Sequence, residues 1–135
     1  MYLFKTSGKT LSSVIKNQKH AFYSMPRNWH PNELVLVSKN KADCNRREKQ
    51  VQYTMKLDDI RPLNPGEVDK YWPGNEGRWK YLVICKSTKV ISQPFNLEEI
   101  LGEDSKPYGP IMTFRKFDTK HEEIIENYLK KIGAL

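Results

Sequence analysis

The chain is poor in several features that would assign it a class. Among its 135 residues are only two cysteines, Cys44 and Cys85. That is too few for a disulfide framework or for a four-ligand zinc site. No apolar run approaches the ~20 residues of a membrane helix, so no membrane partner is expected. Met1-Tyr2-Leu3-Phe4-Lys5 lacks the basic region and long apolar stretch of a signal peptide, which points to a reducing, cytoplasmic setting. The three histidines, His20, His30 and His121, are scattered, and HExxH, CxxC and GxSxG are all missing. Ser7-Gly8-Lys9-Thr10 resembles the tail of a phosphate-binding loop, but Leu3 stands where that loop needs its first glycine. Asp58 and Asp59 are adjacent, so their carboxylates point in different directions on a strand or turn. Nothing here specifies an enzyme, a metal or a cofactor, and none is expected.

What is present is a mixed pattern of short elements. Tyr2-Leu3-Phe4 reads as an opening strand, and Leu11, Val14 and Ile15 as a short helix over 11–18 behind Thr10 as N-cap. Residues 33–38 form a near-continuous apolar run, hence a central strand. Val51, Tyr53, Met55 and Leu57 alternate with polar residues, the mark of a half-buried strand. Residues 81–85, 89–91 and 111–114 read as further strands. Asn96 with Glu99, and Thr119 with Glu122, form capping-box patterns. The second opens a helix carrying Ile124, Ile125, Tyr128, Leu129 and Ile132 and closed by Gly133. Five or six strands and two or three short helices without regular alternation predict an α+β fold. A small curved mixed sheet or open barrel in a single domain, 1–135, is expected.

Charge is uneven. The whole chain carries +7, but residues 1–95 hold 17 basic and 8 acidic side chains against 6 and 8 in residues 96–135. Five cations and two carboxylates sit in the segment 38–49 between two strands, an arrangement that can lie along a phosphate backbone or form an ordinary solvated loop. Aromatic residues gather in two loop-like stretches, Phe22-Tyr23-Ser24-Met25-Pro26 with Trp29, and Tyr71-Trp72 through Trp79. Aromatic faces beside cations suit a stacked nucleobase, while capping of an open core is the rival reading, evenly matched for Trp79.

The order of these features resembles the PUA-like superfamily and, within it, the YTH and EVE domains. Leu3-Phe4-Lys5-Thr6-Ser7 is similar to their first strand and its Lys-Ser exit. His20-Ala21-Phe22-Tyr23-Ser24-Met25-Pro26 resembles a Gly-Val-Trp-Ser-Thr-Leu-Pro stretch, with Tyr23 in place of the first cage tryptophan. Tyr71-Trp72-Pro73 lies where the second is expected, and Arg115 matches a phosphate-contacting residue. The resemblance spans roughly residues 1–130. It implies a non-enzymatic reader of a modified base, 6-methyladenine above all, in DNA or RNA. The base would be flipped into an aromatic cage of Tyr23, Trp72 and Trp79. Thr6 and Ser24 would hydrogen-bond the base edge, and Lys5, Arg46, Arg47 and Arg115 would hold phosphates. It is also compatible with an attached or associated AAA+ motor or nuclease subunit, as in restriction proteins of the McrB type. The alternative is a PUA-like module that binds RNA or DNA without preference for modification. An enzyme, or a protein-interaction domain using its exposed aromatics, are the remaining readings.

Overall fold

Alternation along β1 (Tyr2–Thr6) decides how the layers are arranged, because all five of its residues are buried and successive side chains face opposite ways. In the computed structural model, which describes residues 1–75, 77–109 and 114–135, Tyr2 and Phe4 join an interior cluster, while Leu3 joins a second cluster on the other face. The sheet has six strands in the order β2-β5-β4-β3-β1-β6. Its other members are β2 (Lys19–Phe22), β3 (Leu34–Lys39), β4 (Val51–Pro62), β5 (Tyr81–Phe95) and β6 (Phe114–Lys116), and β1 lies between β3 and the edge strand β6. β1 and β3 are parallel and every other pair is antiparallel.

The sheet curls on itself. β2 and β6 are its opposite edges, yet Phe22 on β2 and Phe114 on β6 have ring centroids 5.8 Å apart. Phe4 meets both edge-to-face, at 5.0 and 6.0 Å. The result is a half-barrel whose edges, among the described residues, meet along a seam of side chains rather than through a hydrogen-bonded ladder. Register shifts within β4 and β5 supply the bending. α1 (Gly8–Asn17) packs Val14, Leu11 and Ile15 into the interior cluster. The outer face is covered by α3 (Leu97–Leu101), a 3-10 stretch over Gly102–Tyr108, and α4 (Thr119–Lys131), which presents Ile125 and Leu129. This is a curved mixed α+β architecture, as the sequence pattern predicts. Among the described residues, no helix is long and apolar enough to cross a membrane.

Several expected boundaries move. α1 starts at Gly8 with Ser7 as its N-cap, not after Thr10. The Gly8 N–H donates to the Asp43 carboxylate at 2.9 Å, and a Cβ on Gly8 would lie 2.7 Å from Lys39 Cε. The glycine of the Ser-Gly-Lys-Thr segment thus serves a close approach, and the helix terminus it opens holds a carboxylate of the chain itself. Neither capping box forms as drawn. Asn96 Oδ1 accepts the Gln50 N–H at 2.8 Å instead of capping α3, and Asp118 stands at the N-cap of α4, one residue before Thr119. The two strands 81–85 and 89–91 are one strand, β5, that passes through Ser87 at φ 56°. The sequence pattern gives no sign of β2, of α2 (Glu67–Tyr71), or of the 3-10 helices Lys41–Asp43 and Gly102–Tyr108. Of the strand expected over 111–114, residues 111–113 lie outside the described residues.

Candidate functional site

The edge strand β2 turns His20 and Phe22 toward the interior and Ala21 away from it. Trp72, at the C-terminal end of α2, and Trp79, just before β5, wrap this edge. His20 has ring centroids 5.0 Å from Trp72 and 5.2 Å from Trp79, and it stacks on Phe4 at 6.0 Å. Trp72 and Trp79 meet edge-to-face at 5.7 Å. The two tryptophans of the expected cage are therefore brought together, but in mutual contact. Trp72 is 4% exposed and also packs on Ala21 and Leu82, so the structure makes it a core residue as well as a seam residue.

This cluster is apolar around atoms that are not. His20 is fully buried, and neither of its ring nitrogens has a hydrogen-bond partner among the described residues. The same holds for Trp72 Nε1. A buried donor or acceptor left unmade costs on the order of 1–3 kcal/mol, so three in one cluster mark a place where stability has been given up. Burial first, and the nearby Arg78 charge second, push the His20 pKa down to about 4. His20 is thus neutral at physiological pH and offers one N–H donor and one nitrogen acceptor. Arg78 lies over the Trp79 ring, 5.2 Å from its centroid. The scatter of the three histidines along the chain gives no hint that His20 is buried. The signal that it faces inward is its i, i+2 relation to Phe22 on a strand that was not recognised.

The third cage candidate is elsewhere on the rim. Tyr23 is 65% exposed at the end of β2, and Lys80 Nζ sits over its ring, 4.8 Å from the centroid. Together with Ser24, Met25, Arg27 and Tyr81 they line a shallow groove. β2 and β5 pair Phe22 with Tyr81, which puts Tyr23 opposite Lys80 and next to the strand end that carries Trp79. Ser24 is exposed in this groove.

The remaining candidates scatter. Thr6 is fully buried and its Oγ1 pairs with Thr10 Oγ1 beside α1. Lys5 faces away from the seam and donates from Nζ to the carbonyls of Gly109 at 2.8 Å and Tyr108 at 3.3 Å. Arg115 donates to the Pro107 carbonyl and lies over the Tyr108 ring at 4.8 Å. In the 38–49 segment, Lys39 pairs with Glu48, Lys41 with Glu98 and Lys49 with Glu99. Arg46 and Arg47 are exposed and make no ion pair among the described residues. Of this loop's five cations, these two make no ion pair among the described residues, and Lys41 is also well exposed.

No family model and no curated protein sequence matches this chain. Solved structures do. The ASCH protein of Zymomonas mobilis aligns with a TM-score of 0.60 at 12% identity, over 93% of this chain and 93% of that one. A tyrosine-to-phenylalanine variant of the same protein aligns with a TM-score of 0.62 at 11% identity, over 93% and 96%. ASCH domains belong to the PUA-like superfamily. At such identities the likeness establishes the fold, which is the PUA-like one.

Proposed function

We propose that the protein binds nucleic acid and takes a single base into the seam between β2 and the two tryptophans, acting as a reader rather than as an enzyme. The observation that carries this reading is the trio of unpartnered ring nitrogens of His20 and Trp72 inside an aromatic cluster. Adenine presents an N–H donor and a ring-nitrogen acceptor side by side on one edge. The Trp72 Nε1–H matches the acceptor, and a neutral His20 nitrogen matches the donor. Trp79 supplies a stacking face, and Tyr23 with Lys80 and Ser24 extends the platform to a flanking nucleotide. Stacking contributes about 1–3 kcal/mol per base. Among the described residues, neither His20 nitrogen is hydrogen-bonded to a carboxylate or hydroxyl of the kind that orients a histidine for general acid–base catalysis.

The proposed base is 6-methyladenine. Burying one methyl group contributes about 0.8 kcal/mol, roughly a fourfold preference. A larger preference requires the methyl to be enclosed by Trp72 and Trp79 together. Because these rings now touch, base entry moves the β4–β5 connection that carries them. Gly74 and Gly77, both at positive φ, give that connection backbone freedom. An attached or associated AAA+ motor or nuclease would supply any cleavage that follows recognition.

Exposed Arg46 and Arg47 favour a second reading, a module that binds the backbone without regard to modification. Competition binding at physiological salt separates the two. Matched short DNAs and RNAs carry 6-methyladenine, 5-methylcytosine or no modification. A preference of tenfold or more for the 6-methyladenine strand, about 1.4 kcal/mol, supports the reader, and equal salt-sensitive affinities support the generic module.

A further inference from the structure

On the other side of the sheet from the seam, β1 and the 3-10 stretch Gly102–Tyr108 enclose a recess of about 180 Å³. Lys5, Ser38, Gln50, Ser105, Lys106 and Tyr108 line it. Lys5 is only 4% exposed and forms no ion pair with a carboxylate among the described residues. Its ammonium donates to the Gly109 and Tyr108 carbonyls and has no third hydrogen-bond partner among the described residues. Burial lowers the Lys5 pKa, the expected response of a cation taken out of water without a counter-ion. Retaining such a cation is costly unless something anionic meets it.

We propose that this recess is a site for a phosphate group, presented by a phosphate monoester or by free phosphate, with Lys5 at its floor. The volume is below the ~300 Å³ at which ordinary small-molecule sites begin. It therefore suits a phosphate group and leaves an attached nucleoside outside. A terminal phosphate, continuing at one ester only, fits a small recess around a buried lysine better than a phosphodiester that continues at both. Besides Lys5, the Gln50 side-chain amide is at hand as a donor. The Ser38 hydroxyl is another, since its present bond to the Lys39 carbonyl is long at 3.3 Å. Lys106 stands at the rim and pairs with Glu103. Glu98 also lines the recess and opposes an anion, and its partner Lys41 at 3.6 Å offsets it. The site is separate from the seam and does not depend on base reading.

The test is an amide-resolved NMR titration of the full chain with inorganic phosphate, at ionic strength held constant with chloride. Parallel arms use a 5′-phosphorylated dinucleotide and the same dinucleotide without its phosphate. Saturable shifts are expected at Ser38, Ser105 and Gly109 with phosphate, with the phosphorylated dinucleotide, or with both. The relative affinities of these two arms identify the source of the group. Lys5→Met should weaken binding at least tenfold. Lys106→Ala, at an exposed position that does not threaten folding, should weaken it severalfold. Trp72→Phe should leave it unchanged. Absence of saturable shifts, equal shifts with the unphosphorylated dinucleotide, or wild-type affinity in the Lys106→Ala and Lys5→Met variants would overturn the proposal.

Discussion

His20 and Trp72 meet with ring centroids 5.0 Å apart, and none of the three nitrogens they bury there has a hydrogen-bond partner among the described residues. Asn40 Oδ1 is a further buried atom without a partner, but His20 and Trp72 gather three such atoms in one cluster, and it is this concentration that the proposed base-binding role rests on.

Trp72 separates stability from recognition. Trp72→Ala empties a buried position and should cost about 3–5 kcal/mol of stability, so that variant does not test binding cleanly. Trp72→Phe keeps an aromatic ring at this position, leaves a smaller void than alanine does and removes the unpartnered N–H. It should be less destabilised than Trp72→Ala, while affinity for the base-containing ligand falls several-fold. Chemical denaturation and equilibrium binding of the same sample check both halves.

His20 sets an acid limb on stability. Its folded pKa, about 4, lies below the ordinary 6.5. Below pH 6.5 the unfolded chain takes up a proton that the folded chain refuses, so the His20 contribution is complete above that pH and is lost as pH falls toward 4. The full effect is about 3 kcal/mol. The carboxylates with lowered pKa, Glu67 at about 2 among them, act below 4.5, so the window from 6.5 to 4.5 reports His20. His20→Phe should flatten the unfolding free energy across that window. A wild-type slope in the variant would assign the acid limb to another group.

Tyr23 is exposed and can be removed without disturbing packing. Tyr23→Ala should leave the melting temperature unchanged and weaken single-stranded ligand binding by about 1–3 kcal/mol, the value of one stacked base. Isothermal titration against one short oligonucleotide is sufficient.

Arg46 and Arg47 should report through salt. If each meets one phosphate, the double substitution to alanine lowers the slope of log affinity against log salt by about 1.4 for a single strand. Any preference among bases should persist. An unchanged slope would remove this loop from the interface.

Much of this was legible in the sequence, and the misses have physical causes. The strands with long apolar or alternating patterns, β1, β3 and β4, stand where periodicity puts them, and so does α4 with Gly133 behind it. β2 has four residues, too few for alternation to show beside the aromatics that follow. α2 has five, opened by Gly66 at φ 84°, and gives no periodic signal at all. The loop-like stretch around Trp72 gives no sign that its ring is buried against His20, because that contact depends on β2. Lys5 was grouped with the site by its place in the chain. Strand alternation turned it to the opposite face, where the recess beside Tyr108 and Gly109 receives it.

The most direct test of base reading at the seam is the indole N–H resonance of Trp72, followed while a 6-methyladenine oligonucleotide is added. The chain has three tryptophans, so three indole signals must be assigned, by single substitution to phenylalanine. The account predicts a large downfield shift of the Trp72 signal as Nε1 gains an acceptor, saturating together with the amides of residues 46 and 47, and no such shift with heparin. Saturated binding at those amides with an unmoved Trp72 indole would contradict it and leave a protein that holds the backbone and reads no base.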